Sequence, residues 1–251
     1  MQPEFYRQTY EIERRHWWFF NRWALVERFL GRMSLQASSR ILDVGCGTGG
    51  TTAWLARWGR VTGIDASRDA LAFARRRDSS ARLVLGDATR LQRRFRPGSF
   101  DLVTFFNVLY HRWIPDDEAL LRQVHALLKP GGRVLLTEPA FRGLWRRHDS
   151  VDMGKTRYTL GEMKCLLSAA GFVYDGGCYF NVVSFIPAWT LALKEKILPA
   201  GGSKEVGELA VPPWPVNEFM MLYGRIEAGL QPLLRLPFGV TLLAVGRKAG
   251  T

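Results

Sequence analysis

The part of the sequence best suited to binding a ligand is a glycine-rich run, Asp43-Val44-Gly45-Cys46-Gly47-Thr48-Gly49-Gly50. Glycine adopts backbone conformations that other residues avoid, so such a run can turn sharply and approach a ligand closely. The same letters satisfy the G-x-G-x-x-G pattern of dinucleotide-binding proteins. Asp43, however, precedes the first glycine by two residues, where its charge would repel a pyrophosphate and attract a sulfonium or an ammonium group.

Two further acids stand at the ends of predicted strands. Asp65 lies about twenty residues after Gly45, the first glycine of the run, which is the distance expected of an acid that binds ribose hydroxyls. Asp87 lies in Gly86-Asp87-Ala88, where its carboxylate can accept a hydrogen bond from an adenine amino group. Either acid alone could instead cap a helix. All three acids fall at strand ends, which favours a ligand site shared among them.

From Arg40 onward, short apolar runs alternate with amphipathic stretches, which predicts buried strands separated by helices. We predict strands at 40–45, 60–65, 81–86, 100–109, 133–137, 172–180 and 240–247, and helices at 49–58, 68–77, 116–128 and 159–170. The turn Lys129-Pro130-Gly131-Gly132 is expected to end the third of these helices. The alternation predicts an α/β fold with a doubly wound, seven-stranded, mostly parallel sheet, whose ligand site lies at the carboxyl ends of the strands.

The remaining segments lie outside this alternation. Residues 1–39 are helical in character and rich in aromatic residues, and we expect them to form an N-terminal lid over a core at 40–180. Residues 181–239 are too long for a plain loop, which predicts a helical cap before a final core strand and tail at 240–251. The apolar run 180–193 is too short to cross a bilayer. It fits the wall of an apolar pocket or a peripheral contact with a membrane.

Taken in order, the motifs resemble those of class I S-adenosylmethionine-dependent methyltransferases. They are DVGCGTGG at 43–50, GIDAS at 63–67, GDAT at 86–89, FDLVTFFNVLYH at 100–111 and LLKPGGRVLLTEP at 127–139. The resemblance implies a Rossmann-like fold, S-adenosylmethionine as the methyl donor, S-adenosylhomocysteine as the product, and no metal.

The resemblance also implies roles for single residues. The glycine turn, with Gly45, Gly47 and Gly49, would carry the methionine part of the cofactor. Asp65 would hold the ribose, Asp87 would face the adenine, and Asp43 would face the ammonium group. Further cofactor contacts are expected from Cys46, Thr48, Ala66, Ala88, Asn107 and Arg22.

The reacting end of the site is expected after the fourth strand. Methyl transfer needs a nucleophile held close and aligned, sometimes with a base that removes its proton. His111 is the candidate base because imidazole titrates near neutral pH, and the alternative is that it only shapes the pocket. Asn107 and Tyr110 resemble part of the Asn-Pro-Pro-Tyr motif of enzymes that methylate exocyclic base amines. Both prolines are absent, so that specificity is not predicted, and Tyr110 is assigned to the acceptor.

An aromatic run in the N-terminal segment is a second candidate for acceptor binding. It looks like a lid motif of bacterial methyltransferases that act on small molecules, with His16 and Trp17 toward the acceptor and Arg22 near the cofactor carboxylate. The alternative is an amphipathic helix packed on the sheet edge.

Arg147 and Tyr158 follow the fifth strand and fit an anionic acceptor, or else a solvated loop. The aromatic and methionine residues of the predicted cap fit a hydrophobic acceptor, or else a core. The predicted acceptor is therefore a small organic molecule, hydrophobic or anionic, methylated on oxygen, nitrogen or carbon.

The composition leaves several partners open. The net charge of +12 fits nucleic acid, an anionic membrane or an acidic substrate, but the basic residues are spread along the chain. An RNA methyltransferase, an NAD-dependent dehydrogenase and a non-catalytic relative therefore remain as alternatives, with nucleic acid not favoured. The start of the chain lacks a signal-peptide pattern and the three cysteines lie far apart, which favours a cytoplasmic protein. The sequence predicts no oligomeric state.

Overall fold

A seven-stranded sheet forms the centre of the computed structural model, which describes residues 3–77, 80–198, 210–234 and 236–250. The strands are β1 (Arg40–Val44), β2 (Arg60–Asp65), β3 (Arg82–Leu85), β4 (Phe100–Phe106), β5 (Leu128–Pro139), β6 (Val173–Phe180) and β7 (Thr241–Arg247). Their spatial order is β3-β2-β1-β4-β5-β7-β6, and only β7 runs antiparallel to its neighbours. The predicted mostly parallel α/β sheet is confirmed, and its order reverses between β1 and β4.

The helices pack against the sheet or cross its edge. They are α1 (Pro3–Ile12), α2 (Trp17–Leu30), α3 (Gly50–Leu55), α4 (Arg68–Ala74), α5 (Asp117–Leu127), α6 (Arg147–Val151), α7 (Leu160–Ala169), α8 (Phe185–Ile197) and α9 (Val216–Leu230). Several begin where the sequence supplies a capping side chain: Ser67, Asp116 and Thr159 each accept a hydrogen bond from the first turn of the helix that follows. No described helix combines the length and the apolar character needed to span a membrane.

The apolar residues of the strands belong to two hydrophobic cores, one on each face of the sheet. Leu42 and Val103 lie in one core with α5 and α7, whereas Ile41 and Leu102 lie in the other with α2. Successive strand residues point to opposite faces, so a strand covered on both sides must be apolar throughout. This is the physical reason that the continuous apolar runs identify the central strands.

The structure corrects the limits of the fifth strand. The predicted turn at 129–132 and strand at 133–137 are parts of one longer strand, β5. Leu128 pairs with Phe100 and Arg133 with Leu102, so the residues between them bulge out of the ladder, with Gly131 at a positive φ of 75°. At its other end β5 continues to Pro139, and this extension places Glu138 at the edge of the sheet where ligands bind.

The N-terminal helix α2 and helix α9 of the predicted cap segment meet on one face of the sheet. Helix α2 packs along α9, and α1 packs against α4. A buried amide pair joins α2 to the residue that follows β6, because Asn21 Nδ2 donates to Asn181 Oδ1 at 3.2 Å. The N-terminal segment is thereby joined to the carboxyl end of β6.

Candidate active site

A cavity of about 660 Å³ lies at the carboxyl ends of β1, β2, β3 and β4. Its lining includes three acids from the strand ends, namely Asp43 within β1, Asp65 at the end of β2 and Asp87 after β3. The position is the point of strand-order reversal, where open α/β sheets bind their ligands. The volume is of the size that encloses a nucleoside-containing ligand.

The glycine turn gives this cavity its floor. Gly45 and Gly47 have φ values of 69° and 54°, which favour glycine. A Cβ on Gly45 would lie 2.6 Å from Val108 Cγ2, so the turn could not pass beneath the segment after β4 with any larger residue. The Gly47 amide donates to Asp65 Oδ2 at 2.9 Å, which ties the turn to the end of β2.

Asp43 is almost completely buried at the back of the cavity. Its two carboxylate oxygens accept hydrogen bonds from the hydroxyls of Thr52 (2.6 Å) and Thr104 (2.9 Å). Burial raises the pKa of Asp43 to about 6, although both threonines act in the opposite direction. A cationic group at this point of the cavity would lower that pKa and hold the carboxylate in its charged form.

Asp65 and Asp87 occupy different settings along the same wall. Asp65 accepts hydrogen bonds from the Gly47 and Ser67 amides, and burial raises its pKa. Asp87 is exposed, and its Oδ1 accepts from both the amide and the hydroxyl of Thr89 at 2.8 Å. Asp87 was expected either to contact a ligand or to cap a helix. It does cap a 3₁₀ turn, and it also lines the cavity.

Arg22 of α2 places a buried guanidinium group in the wall of the same cavity. Its guanidinium lies 4.6 Å from the centre of the Trp18 ring and 5.0 Å from that of Phe106, and Nη2 donates to Thr51 Oγ1 at 3.1 Å. Its Nε is buried and has no hydrogen-bond partner within the described chain. Burial lowers the pKa of Arg22 to about 10, so the side chain still carries its charge at neutral pH. A buried cation with an unused donor is suited to an anionic group of a ligand.

A second buried contact fixes the N-terminal segment to the glycine turn. Glu13 Oε2 accepts from Thr48 Oγ1 and from Arg77 Nη2, both at 2.6 Å, and all three residues are buried. Arg77 also donates to the carbonyl oxygens of Tyr10 and Thr48. The segment between α1 and α2 is therefore attached to the floor of the cavity through one buried ion pair.

Glu138 shapes the segment that follows β4. Its carboxylate accepts hydrogen bonds from three consecutive amides, those of Val108 (3.1 Å), Leu109 (2.9 Å) and Tyr110 (3.3 Å). Burial raises the pKa of Glu138 to about 8 against the effect of these amides. Asn107, which begins the segment, has a positive φ of 58°, and its buried Oδ1 has no partner within the described chain.

His111 lines the same cavity beyond this turn. Its ring stacks on Trp113 with centroids 4.5 Å apart, and its Nδ1 is buried without a partner in the described residues. Burial lowers the pKa of His111 to about 4, although hydrogen bonding to the backbone of Asp152 and Met153 acts in the opposite direction. The imidazole is therefore neutral at physiological pH and presents a lone pair or an N–H toward the site.

A second cavity, of about 340 Å³, shares a wall with the first. Residues that line both are Phe5, Trp18, Phe19, Asn107, Tyr110 and Asp152. Two arginines of the second cavity are paired with acids: Arg146 donates to Glu195 at 2.6 Å and Arg157 to Asp149 at 2.8 Å. The cavity thus has an aromatic lining and charges that are balanced by neighbouring acids.

Comparison with known proteins identifies the core of the chain. Residues 41–132 match the family described as methyltransferase domain. The methyltransferase GfsG of Streptomyces halstedii is 34% identical over 127 residues, which cover 47% of this chain and 44% of that protein. The ubiquinone biosynthesis O-methyltransferase of Pseudomonas aeruginosa (strain UCBPP-PA14) is 38% identical over 105 residues, 40% of this chain and 44% of that protein. The central part of the chain, residues 41–132, is therefore similar in sequence to methyltransferase domains.

The curated matches cover only part of each relative. The matched region spans less than half the length of the curated relatives. The S-adenosylmethionine dependent methyltransferase from Mesorhizobium loti superposes with a TM-score of 0.58 at 19% identity, covering 89% of this chain and 98% of that one, which shows a shared fold. The match of residues 41–132 to a methyltransferase domain favours methyl transfer over the dehydrogenase that the G-x-G-x-x-G pattern left open.

The structure brings most of the predicted cofactor residues of the methyltransferase domain to the first cavity. Its lining includes Arg22, Asp43, Gly45, Cys46, Gly47, Thr48, Asp65, Ala66, Asp87, Ala88, Asn107 and His111. Gly49 is outside this lining. A Cβ on Gly49 would lie 2.8 Å from that of Ala74, so the absence of a side chain there serves the packing of the turn against α4.

The predicted acceptor residues divide between cavity and scaffold. Tyr110 lines both cavities, and His16 and Trp17 line the second, although His16 Nδ1 also caps α2 by accepting from the Trp18 amide. Arg147 and Tyr158 line neither cavity. Arg147 Nη2 donates to the Leu198 carbonyl, and the Tyr158 hydroxyl lies 2.8 Å from Asp117 Oδ2, beneath the segment after β4. Both side chains already hold structural partners, which accounts for the difference from the prediction.

Several lining or supporting residues were not predicted. Glu13 and Glu138 carry buried carboxylates that shape the candidate site, and Phe5, Trp113 and Asp152 form parts of its walls. Glu138 lies within the motif LLKPGGRVLLTEP. A charged residue at the end of an apolar strand is rarely buried without a role, so Glu138 could have been predicted as a site residue. Asp152 is the C-cap of α6, and no motif in the sequence marked it as a site residue.

Proposed function

We propose that the chain transfers a methyl group from S-adenosylmethionine to a small, largely apolar organic acceptor and releases S-adenosylhomocysteine. The observation that carries the proposal is the pair of adjoining cavities, one lined by the strand-end acids and the other by aromatic side chains. Their shared wall would let the donor and acceptor lie side by side, as an in-line displacement requires.

The residues of the first cavity fit this cofactor. The buried Arg22 Nε and Asn107 Oδ1, which lack protein partners in the described chain, offer a donor and an acceptor to a ligand. Arg22 would hold the carboxylate, Asp43 the ammonium group, Asp65 the ribose hydroxyls, and Asp87 with Ala88 the adenine. When bound, S-adenosylmethionine supplies an activated methyl group, so the protein's part is mainly to position the acceptor.

The side chains of the second cavity support a hydrophobic acceptor. Trp17, Trp18 and Phe19 provide broad apolar surfaces, and Tyr110 closes the side next to the first cavity. The Arg146 and Arg157 guanidinium groups already have the carboxylates of Glu195 and Asp149 as partners. An anionic acceptor would have to compete with these ion pairs, which favours the hydrophobic alternative over the anionic one.

The enclosed lining also speaks against an RNA substrate. RNA-binding enzymes present a continuous basic surface to the phosphate backbone. The described walls of the second cavity are mainly aromatic and aliphatic, and its volume of about 340 Å³ suits a small molecule. The small-molecule methyltransferase therefore agrees better with the site than the RNA methyltransferase does.

The candidate group for proton transfer is His111, which lines the first cavity. With its pKa lowered to about 4, the imidazole of His111 is a weak proton acceptor but a competent hydrogen-bond partner at neutral pH. Its free Nδ1 can orient a hydroxyl of the acceptor. We assign His111 to orientation of the acceptor in preference to full proton removal.

Calorimetric titration of the full chain tests the cofactor, and a radiolabel assay tests the reaction. We expect S-adenosylmethionine and S-adenosylhomocysteine to bind with micromolar affinity and NAD to give no heat. Labelled methyl groups should then pass to uncharged phenols more readily than to phosphorylated or carboxylated analogues. Binding of NAD alone would overturn the cofactor, and preference for RNA or for the anionic analogues would overturn the acceptor.

A further inference from the structure

Helix α8 presents an apolar stripe to solvent. Ile186, Trp189, Leu193 and Ile197 are 62%, 48%, 43% and 66% exposed. Their spacing of three, four and four residues places them on one side of the helix. In a water-soluble domain such a stripe normally faces the core, so this helix is turned the other way.

The opposite side of α8 explains this orientation. Ala192 is its buried residue, and Glu195 points inward to an ion pair in which Arg146 Nε and Nη2 lie 2.8 and 2.6 Å from Glu195 Oε1. Glu195 Oε2 also accepts from the Arg147 amide at 2.8 Å. At the start of the helix Phe185 packs against Phe141 and Phe238. Beyond this first turn, small and charged residues attach the helix to the domain, and the apolar stripe is left outside.

The charges that remain exposed on α8 are of one sign. Lys194 and Lys196 are exposed in the last turn, whereas the acid of the helix, Glu195, faces the ion pair. We propose that α8 docks the protein onto an anionic lipid surface, with the apolar stripe entering the interface and the two lysines facing the head groups. Aliphatic residues with a tryptophan, flanked by lysines, are the composition of helices that lie in a membrane surface.

Charge separates this partner from a second copy of the chain. Two copies joined through α8 would bring two pairs of lysines together, on molecules that each carry a net charge of +12. An anionic bilayer offers the complementary charge, and each basic residue near such a surface strengthens binding. The charge pattern therefore favours lipid over self-association.

The docking surface adjoins the second cavity. Ser184, just before α8, and Ala188, in its first turn, line that cavity. Docking would therefore place the acceptor cavity close to the lipid, which suits an acceptor that partitions into membranes. This link rests on the proposed function, but the docking itself does not.

Sedimentation with vesicles tests the docking without cofactor or acceptor, so its outcome is independent of methyl transfer. We expect the full chain to bind vesicles of phosphatidylglycerol and phosphatidylcholine, and to bind pure phosphatidylcholine much more weakly. Ile186→Gln with Leu193→Gln should weaken binding about tenfold or more, and Lys194→Gln with Lys196→Gln about fivefold per lysine. Val173→Gln is the control, because Val173 is 48% exposed at the far end of β6 from α8.

Three results would overturn the proposal. The first is absence of binding to anionic vesicles by the unaltered chain. The second is an equal loss in the Val173→Gln control and the α8 variants. The third is a dimer, measured by light scattering, that the Ile186→Gln and Leu193→Gln pair dissociates, because the stripe would then serve a second copy.

Discussion

The two cavities of the candidate active site are built by different means. The first takes its polar residues from strand ends and from the turn after β1, which are fixed by the sheet itself. The second takes its walls from α2, the segment around α6 and the start of α8, which come together only through packing between distant parts of the chain. Sequence motifs located the first cavity closely. For the second cavity, the sequence predicted that aromatic residues line it, but not every residue that it assigned there belongs to the lining.

The shared wall decides how the two cavities can be separated by experiment. Asp65 and Arg22 line only the first cavity, Trp17 lines only the second, and Trp18 and Tyr110 line both. Changes in the first group should alter cofactor binding, and changes at Trp17 should alter acceptor binding. Changes in the wall should affect both.

The largest effect is expected from Asp65→Ala. The substitution removes the carboxylate that accepts from the Gly47 amide and that we assign to the ribose hydroxyls. Hydrogen bonds to charged groups contribute roughly 1.5–3 kcal/mol each, so affinity for S-adenosylhomocysteine should fall about 100-fold in calorimetric titration. Asp175→Ala is the control, because Asp175 forms an ion pair with Arg133 outside the site. An unchanged affinity in a folded Asp65→Ala protein would remove the ribose assignment.

A smaller and more selective effect is expected from Arg22→Met, which keeps much of the side-chain volume among the aromatic rings. If Arg22 holds the cofactor carboxylate, affinity for S-adenosylhomocysteine should fall about tenfold through loss of a charge-assisted hydrogen bond. Methylthioadenosine, which lacks the amino-acid portion, should bind the variant and the unaltered protein within about twofold, since no such bond is available to it. An equal loss for both ligands would mean that Arg22 only supports the wall.

Trp17→Ala should separate the acceptor from the cofactor. The Trp17 side chain lines the second cavity, and its backbone amide, which donates to Asn217 Oδ1 at 3.0 Å, is retained. Partial loss of an aromatic wall should raise the KM for a hydrophobic acceptor about fivefold. Affinity for S-adenosylhomocysteine should stay within about twofold. Trp18→Ala is the comparison, because Trp18 also stacks on Arg22 and should impair both ligands.

The difference between the two cavities also explains which site residues could be predicted from the sequence. Parallel strands place their carboxyl ends along one edge, so an acid that follows an apolar run must lie near the site. Asp43, Asp65 and Asp87 follow this rule. Arg147 and Tyr158 also follow a strand, but Leu198 and Asp117 hold their polar groups outside the cavities. Those partners are 51 and 41 residues away along the chain, and no local pattern predicts them.

The smallest effect is expected in the dependence of kcat on pH. It decides whether His111, on the wall of the first cavity, acts as a base or only orients the acceptor. A base acts in its neutral form, so a rate that depends on His111 would rise with pH through the pKa of its imidazole. With burial lowering that pKa to about 4, the ring is already neutral at pH 6, and the titration of His111 should cause no change in kcat between pH 6 and 8 at saturating substrates. A histidine with the ordinary pKa of about 6.5 would instead give an increase of about fourfold over this range. His111→Gln, which retains a hydrogen-bonding group, should therefore reduce kcat without introducing or removing an inflection in the pH profile. An inflection near pH 6.5 that disappears in this variant would make His111 a base with a nearly unperturbed pKa, exposed to solvent more than its packing against Trp113 allows.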